Sequence, residues 1–374
     1  MRSDRLDAAA CQCALACVAF IDPSGITGMV TKQARGEQLL DLLGTEVELP
    51  RLTSVASELL SIMHMPMAQI DIQHLASLAE GDPMLSAVLL RTANSAYFGA
   101  LREIKTVPQA IMRMGLEDTM HILSYHCLRT VIPAHKRLQN FSLKHFWLHS
   151  WATATAARML GRTEYLVHAL PGELYTAGLL HDIGKVVLAS HAGELFDRAC
   201  AVARAQGVAL RQAEIEVIEL DHATLGRHVL DAWNLPLPIL EAVGGHHGPA
   251  SAPAGGREIA MLIELADAIA YRCGFADGTG QPARDPMQTV IVSDPHSPLA
   301  VPMTFQCMLD SVSDGLSRKS LMFQKRSQPA QHVDELASAR PRQAANRVPI
   351  RSTPPGHGGF WKRMFASIDR LFDN

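Results

Sequence analysis

The chain has 374 residues, 48% of them hydrophobic, which excludes a wholly disordered protein and suits one to three domains of roughly 100–200 residues each. A formal charge of -3 supplies no field for a phosphate backbone, so no nucleic-acid partner is expected. Seven cysteines, an odd number with no CxxC pair, argue against a disulfide framework and a zinc knuckle and point to a reducing cytoplasm.

At the start, the apolar run from Ala8 to Ile21 is too short to span a bilayer, and no A-x-A cleavage site follows it. No transmembrane segment is expected. Residues 1–36 are read as an N-terminal tail, of which the part before Met29 is either dispensable or an overlong start assignment. From about Glu37 to Gly274 apolar residues recur at three- and four-residue spacing without sustained alternation, which predicts an all-α body.

Within that body, Asp82-Pro83 has the form of an N-cap followed by proline at the first helical position. Leu85, Val88, Leu89, Thr92, Ala93 and Ala96 then share one face, with Asn94-Ser95 on the last turn. Thr106, with Pro108 just inside, opens a helix through Ala110, Ile111 and Met114 that stops near Gly115. Another begins at Glu117 or Asp118. Ser142 caps a helix carrying Phe146, Leu148, His149, Ala152 and Ala156 that ends about Gly161.

Beyond Phe275 the composition turns to Gly, Pro, Ser, Gln and Arg. Residues 276–359 therefore read as a largely disordered linker, within which Pro302 to Leu316 can still form a helix packed on the body. Phe360, Trp361, Met364, Phe365, Ile368, Leu371 and Phe372 fall on one face of a terminal amphipathic helix over 360–374. Three placements of that helix stay open: on this protein's own core, in a partner's groove, or on a membrane surface.

Five segments carry ligand-type side chains in the order His149, His181-Asp182, His222, His246-His247 and Asp267, on predicted helix ends. Imidazole and carboxylate without nearby thiolate suit Mn, Fe, Zn, Co or Ni through nitrogen and oxygen. One or two such divalent ions would sit here. Adjacent residues diverge by about 100° on a helix, but His181 and Asp182 can both reach an ion placed over a helix terminus. A carboxylate there can bridge two ions, and a two-metal site can activate water and neutralise a phosphoryl group. Lys185, one turn later, is placed to touch a phosphate oxygen or move a proton. His168, His191 and His296 read as isolated surface or hydrogen-bonded residues, His145 as packing, and His121 and His126 are unassigned.

Leu179-Leu180-His181-Asp182-Ile183-Gly184-Lys185 resembles the LLHDIGK signature of the HD metal-dependent phosphohydrolase superfamily. Several further segments are similar to the HDOD domain, the HD-related output domain. They are Leu49-Pro50-Arg51-Leu52, Gly81-Asp82-Pro83, the run from Leu90 to Gly99, Ala110-Ile111 to Gly115, Asp221 to Gly226, Trp233-Asn234-Leu235-Pro236 and Ala266-Asp267-Ala268. The resemblance covers about 37–275. It implies an N-terminal helical subdomain over 37–140 packed on an HD-like helical subdomain over 141–275.

It further implies a bacterial signal-transduction output protein that works by binding a signalling protein partner. Many members have lost their metal ligands, whereas this chain keeps them. Carried over from the related HD-GYP phosphodiesterases, His149, His181, Asp182 and Asp267 would hold one metal. Asp182 would bridge to a second held by His222, His246 and His247, with Asp182 and Lys185 as catalytic residues. Gly248-Pro249-Ala250 follows His246-His247 where a GYP tripeptide would mark cyclic-dinucleotide hydrolysis, and no receiver, GGDEF or EAL-like segment is present. The alternative implied function is a phosphohydrolase or phosphodiesterase acting on a cyclic dinucleotide or nucleotide.

Overall fold

A computed structural model describes residues 50–320, apart from 64, 66–68, 100–101, 132–137, 162–168, 170, 283, 295–296, 298 and 300–301. The tail over 1–36, the segment 321–359 and the terminal amphipathic helix over 360–374 lie outside the described residues. Among those described the fold is all-α and contains no strand.

Five helices form the first part: α1 (Ser54–Met63), α2 (Ile72–Glu80), α3 (Pro83–Ala93), α4 (Val107–Met114) and α5 (Leu116–Val131). Side-chain oxygens set several starts. Asp71 accepts from the Gln73 amide, Asp82 from Met84 and Leu85, and Thr106 from Gln109. Each such cap satisfies amide donors that have no partner inside the helix, at roughly 1 kcal/mol apiece. The resembled Asn94 has a definite task. Its Nδ2 donates to the carbonyls of Leu90 and Ile104, and its Oδ1 accepts the Ile104 amide, pinning the end of α3 to the loop before α4.

The second part comprises α6 (Leu143–Gly161), α7 (Pro171–Leu180), α8 (Ile183–His191), α9 (Gly193–Gln206), α10 (Leu210–Val217), α11 (His222–Ala232), α12 (Leu237–Gly245) and α13 (Ala254–Arg272). The long helices α6 and α13 lie against each other, with α7 against both and α12 against α13. Most of α6 is buried, from Phe146 to Leu160, as the centre of a bundle should be. Asn234 takes a left-handed conformation with φ of 56° beyond α11, one that asparagine tolerates better than most side chains.

The two parts share one continuous core. Tyr175 of α7 stacks on His121 of α5, with ring centroids 3.8 Å apart. Trp233 donates from Nε1 to the Pro50 carbonyl at 2.6 Å. Lys319 forms an ion pair with Asp118, and Arg158 with Glu117.

The expected linker needs correcting over 286–320, within which the segment Pro302 to Leu316, read as able to form a helix, is helical. Residues 286–288 form a 3-10 turn, α14 spans Val290–Ser293 and α15 spans Pro302–Ser320. Phe305, Leu309, Val312 and Leu316 are buried, and α15 packs on α6. The Gly and Pro content that reads as linker marks turns between short elements, because their apolar positions are too few to bury anything except against a neighbour.

Candidate metal centre

The LLHDIGK segment folds as a helix end, a turn and a helix start: α7 stops at Leu180, His181 and Asp182 occupy the turn, and α8 begins at Ile183. Its glycine is a packing requirement. A Cβ on Gly184 would lie 2.0 Å from the His222 carbonyl oxygen, so only glycine lets α8 approach the start of α11 this closely. At that start Asp221 accepts the Thr224 amide at 2.8 Å and pairs with Arg211 at 2.9 Å, fixing the first turn from which His222 projects.

All seven ligand-type residues converge. His149, His181 and Asp182 form one group whose ligand atoms all lie within 4.8 Å of one another, and Asp182, His222, His246 and His247 form another. Asp182 belongs to both. Its Oδ2 is 3.2 Å from His181 Nε2, and its Oδ1 is 3.2 Å from His222 Nε2 and 3.5 Å from His246 Nε2. Asp267 Oδ1 lies 2.9 Å from His149 Nε2 and 4.0 Å from His181 Nε2. His222 and His247 face each other Nε2 to Nε2 at 2.7 Å. Four of the five imidazoles, and Asp182, are at most 2% exposed.

Not every ligand-type residue stands at a helix end as expected. Asp267 is inside α13, and His149 is in the second turn of α6, so the crossing of two long helices brings these two together. The remaining positions do flank helix termini.

Hydrogen bonding on the far side of each ring decides what the near side offers. Nδ1 of His149 meets the Phe275 carbonyl at 2.8 Å, Nδ1 of His181 the Gly178 carbonyl at 2.8 Å, and Nδ1 of His246 the Val243 carbonyl at 2.6 Å. A carbonyl only accepts, so each Nδ1 carries a proton and each Nε2 is the nitrogen turned toward the cluster, the one that can offer a lone pair in the neutral tautomer. Nδ1 of His222 instead meets the Glu214 carboxylate at 2.6 Å.

His181 Nε2, His246 Nε2, Asp182 Oδ1 and Asp267 Oδ1 are buried without a hydrogen-bond partner. Clustered orphaned acceptors are costly, and a divalent cation is the group that satisfies them together. The donor set therefore fits a nitrogen- and oxygen-bound metal.

The electrostatics favour ionised carboxylates at the centre. Burial pushes the Asp182 carboxyl up, but His181 and Lys185 outweigh it and hold it well below the usual carboxylate range. Asp267 is likewise held down, by His149 against burial. Burial lowers His222, but Glu214 and Asp182 raise it on balance to about 9. His246 and His247 are both lowered, chiefly by burial, and so stay ready as neutral donors.

Lys185 points to the same place. Its Nζ is 2.5 Å from Asp182 Oδ2 and 2.6 Å from Asp277 Oδ2. Spacing along the chain does not reveal Asp277, which falls in the Gly-rich stretch beyond α13. Its Oδ1 accepts from the amide and hydroxyl of Thr279, and the Gly278 carbonyl accepts the Ser142 amide at 2.9 Å, anchoring the loop to the start of α6. Glu214, eight residues before His222, was missed for the same reason. His191 bonds the Val187 carbonyl and His145 faces the Ser142 hydroxyl, while His168 and His296 lie outside the described residues.

Comparison with known proteins decides the family. The HDOD domain profile matches residues 49–249. This chain belongs to the HDOD family. An uncharacterized protein of Treponema pallidum (strain Nichols) is 25% identical over 62% of this chain, and the match spans only 43% of that protein. An HDOD domain protein of unknown function from Geobacter sulfurreducens superposes with a TM-score of 0.60 at 22% identity, covering 76% of this chain and 97% of that one. A Shewanella amazonensis SB2B protein described provisionally as a phosphohydrolase gives 0.54 at 22% identity, covering 79% and 97%. These structural likenesses establish the shared fold. Among the described residues of this HDOD protein, no helix is long and apolar enough to cross a membrane.

Proposed function

We propose that this HDOD protein is a bacterial signal-transduction output module of the cytoplasm that acts by binding a signalling protein partner, with a retained divalent-metal centre. The observation that carries this reading is the enclosure of the centre. His149, His181, Asp182, His222 and His246 are at most 2% exposed, and Lys185 is held by two carboxylates instead of facing an open cleft. A nucleotide-sized ligand needs a concave, accessible pocket of several hundred Å³. A buried metal fits a part in holding the bundle together or in sensing, because binding to the native state alone adds stability by mass action.

In this reading His149, His181, Asp182 and Asp267 hold one ion, Asp182 is shared, and His222, His246 and His247 hold a second, with Fe or Mn as the metal. The sharing of Asp182 between both groups favours a second reading: a metal-dependent phosphohydrolase acting on a nucleotide or cyclic dinucleotide. Divalent ions would supply Lewis-acid activation of water and neutralise charge on a phosphoryl group. In that case Asp182 would serve both ion positions and Lys185 would contact a phosphate oxygen.

One experiment separates the two. Protein purified anaerobically without a histidine tag is analysed for metal, then assayed against cyclic di-GMP and bis(p-nitrophenyl) phosphate beside Asp182→Ala. The output reading expects bound metal, lost in the variant, and no turnover by either protein. Turnover by the wild type that disappears in Asp182→Ala would establish the hydrolase instead.

A further inference from the structure

Four of the metal-facing histidines are oriented from behind through Nδ1, and one is treated differently. His149, His181 and His246 donate to main-chain carbonyls. His222 alone is backed by a carboxylate. Glu214 Oε2 lies 2.6 Å from His222 Nδ1 and 3.0 Å from the His222 amide, so one oxygen fixes both the ring and the backbone from which it projects.

Glu214 is wholly buried, and its second oxygen, Oε1, has no hydrogen-bond partner. Among the described residues no lysine or arginine forms an ion pair with it, and its charge-bearing partner is the His222 ring. Burying a carboxylate is costly unless it is hydrogen-bonded and positive charge is close, and both needs fall on His222, through its ring and its amide. Short α10 is held in place for this purpose at its first turn, where Arg211 reaches Asp221 at 2.9 Å. The carboxylate, the ring and the cluster around Asp182 then form one line of contacts, since His222 Nε2 is 3.2 Å from Asp182 Oδ1 and 2.7 Å from His247 Nε2.

We propose that Glu214 is a positioning residue for the metal at the His222, His246 and His247 position, and that it makes the two metal positions unequal. The inference rests on the metal-binding reading above. A carboxylate behind an imidazole locks the ring and raises its basicity as a ligand, whereas a neutral carbonyl does the first and little of the second. The position served by His222 therefore binds more tightly for Glu214's presence. The position served by His149 and His181, both backed by carbonyls, is indifferent to it.

Glu214→Gln tests this, since glutamine keeps the size and the accepting oxygen but removes the charge. Manganese titration of the full-length protein should show one of two equivalents weakened by about 10- to 100-fold, the usual cost of losing such a partner. The other equivalent should bind as in wild type. In a His246→Ala background, where the three-histidine position is already damaged, adding Glu214→Gln should change nothing further. Two equivalents bound with wild-type affinity would overturn the proposal, and so would equal weakening of both, the mark of a merely structural role. Urea unfolding of the apo proteins monitors the fold. Wild-type protein that binds no manganese would overturn the metal reading itself, a result distinct from either of these.

Discussion

The Asp277 carboxylate lies 2.6 Å from the Lys185 ammonium although 92 positions separate the two residues. The contact joins the motif at the start of α8 to a loop beyond α13, and both groups are buried. Asp277 is held down to about 2 despite burial, by Lys185 first and then by His149. Lys185 is raised above its ordinary value because Asp182 and Asp277 outweigh the effect of burial.

Removing Asp277 should therefore destabilise the protein. Asp277→Asn leaves a buried ammonium with Asp182 as its remaining carboxylate, and we expect a loss of up to about 3 kcal/mol in urea unfolding. Replacing Lys185 by Met in the same chain should return part of it. A single variant as stable as wild type would show that the pair contributes nothing net.

The same pair sets an acid dependence. Asp277 has a folded value below its unfolded one, so its contribution is complete above about pH 4 and is lost as pH falls through about 2. A fall from 3.8 to about 2 corresponds to roughly 2 kcal/mol. Acid unfolding of Asp277→Asn should lack that part of the slope between pH 4 and 2. An unchanged slope would assign it to other carboxylates.

Metal should stabilise the fold through Asp182. With free manganese at about a thousand times its dissociation constant, wild type should gain about 4 kcal/mol, and chelation should remove it. Asp182→Ala should show no gain, since both ligand groups contain Asp182. Differential scanning calorimetry with manganese and with EDTA reads this directly.

Gly184 and Gly248 offer a paired test of close approach. Alanine at Gly184 would put Cβ 2.0 Å from the His222 carbonyl oxygen, a backbone atom that cannot step aside. A loss above about 3 kcal/mol, or insoluble protein, is expected. Alanine at Gly248 meets nothing within 4 Å and should stay within about 0.5 kcal/mol of wild type.

Leu316 tests where the fold ends. It is wholly buried in α15, far beyond the resemblance to known motifs. Leu316→Ala should cost about 2–5 kcal/mol if α15 belongs to the cooperative core. Under about 0.5 kcal/mol would make α15 an appendage.

Helix type and many helix boundaries were legible in the sequence, because caps and apolar periodicity are local: Asp82-Pro83, Thr106 and Gly115 act within a turn of where they stand. The seven ligand-type residues could be singled out by their order along the chain and by the LLHDIGK-like motif, and the structure adds their convergence. What only the tertiary structure decided was which groups stand behind them. Glu214 and Asp277 carry no spacing signal, as one is offered by a short helix and the other by a turn held at Ser142. The order of residues 286–293 was hidden for a related reason, whereas the sequence already allowed a helix over Pro302 to Leu316. A short segment with a weak apolar face orders only when a neighbour in the fold completes its burial.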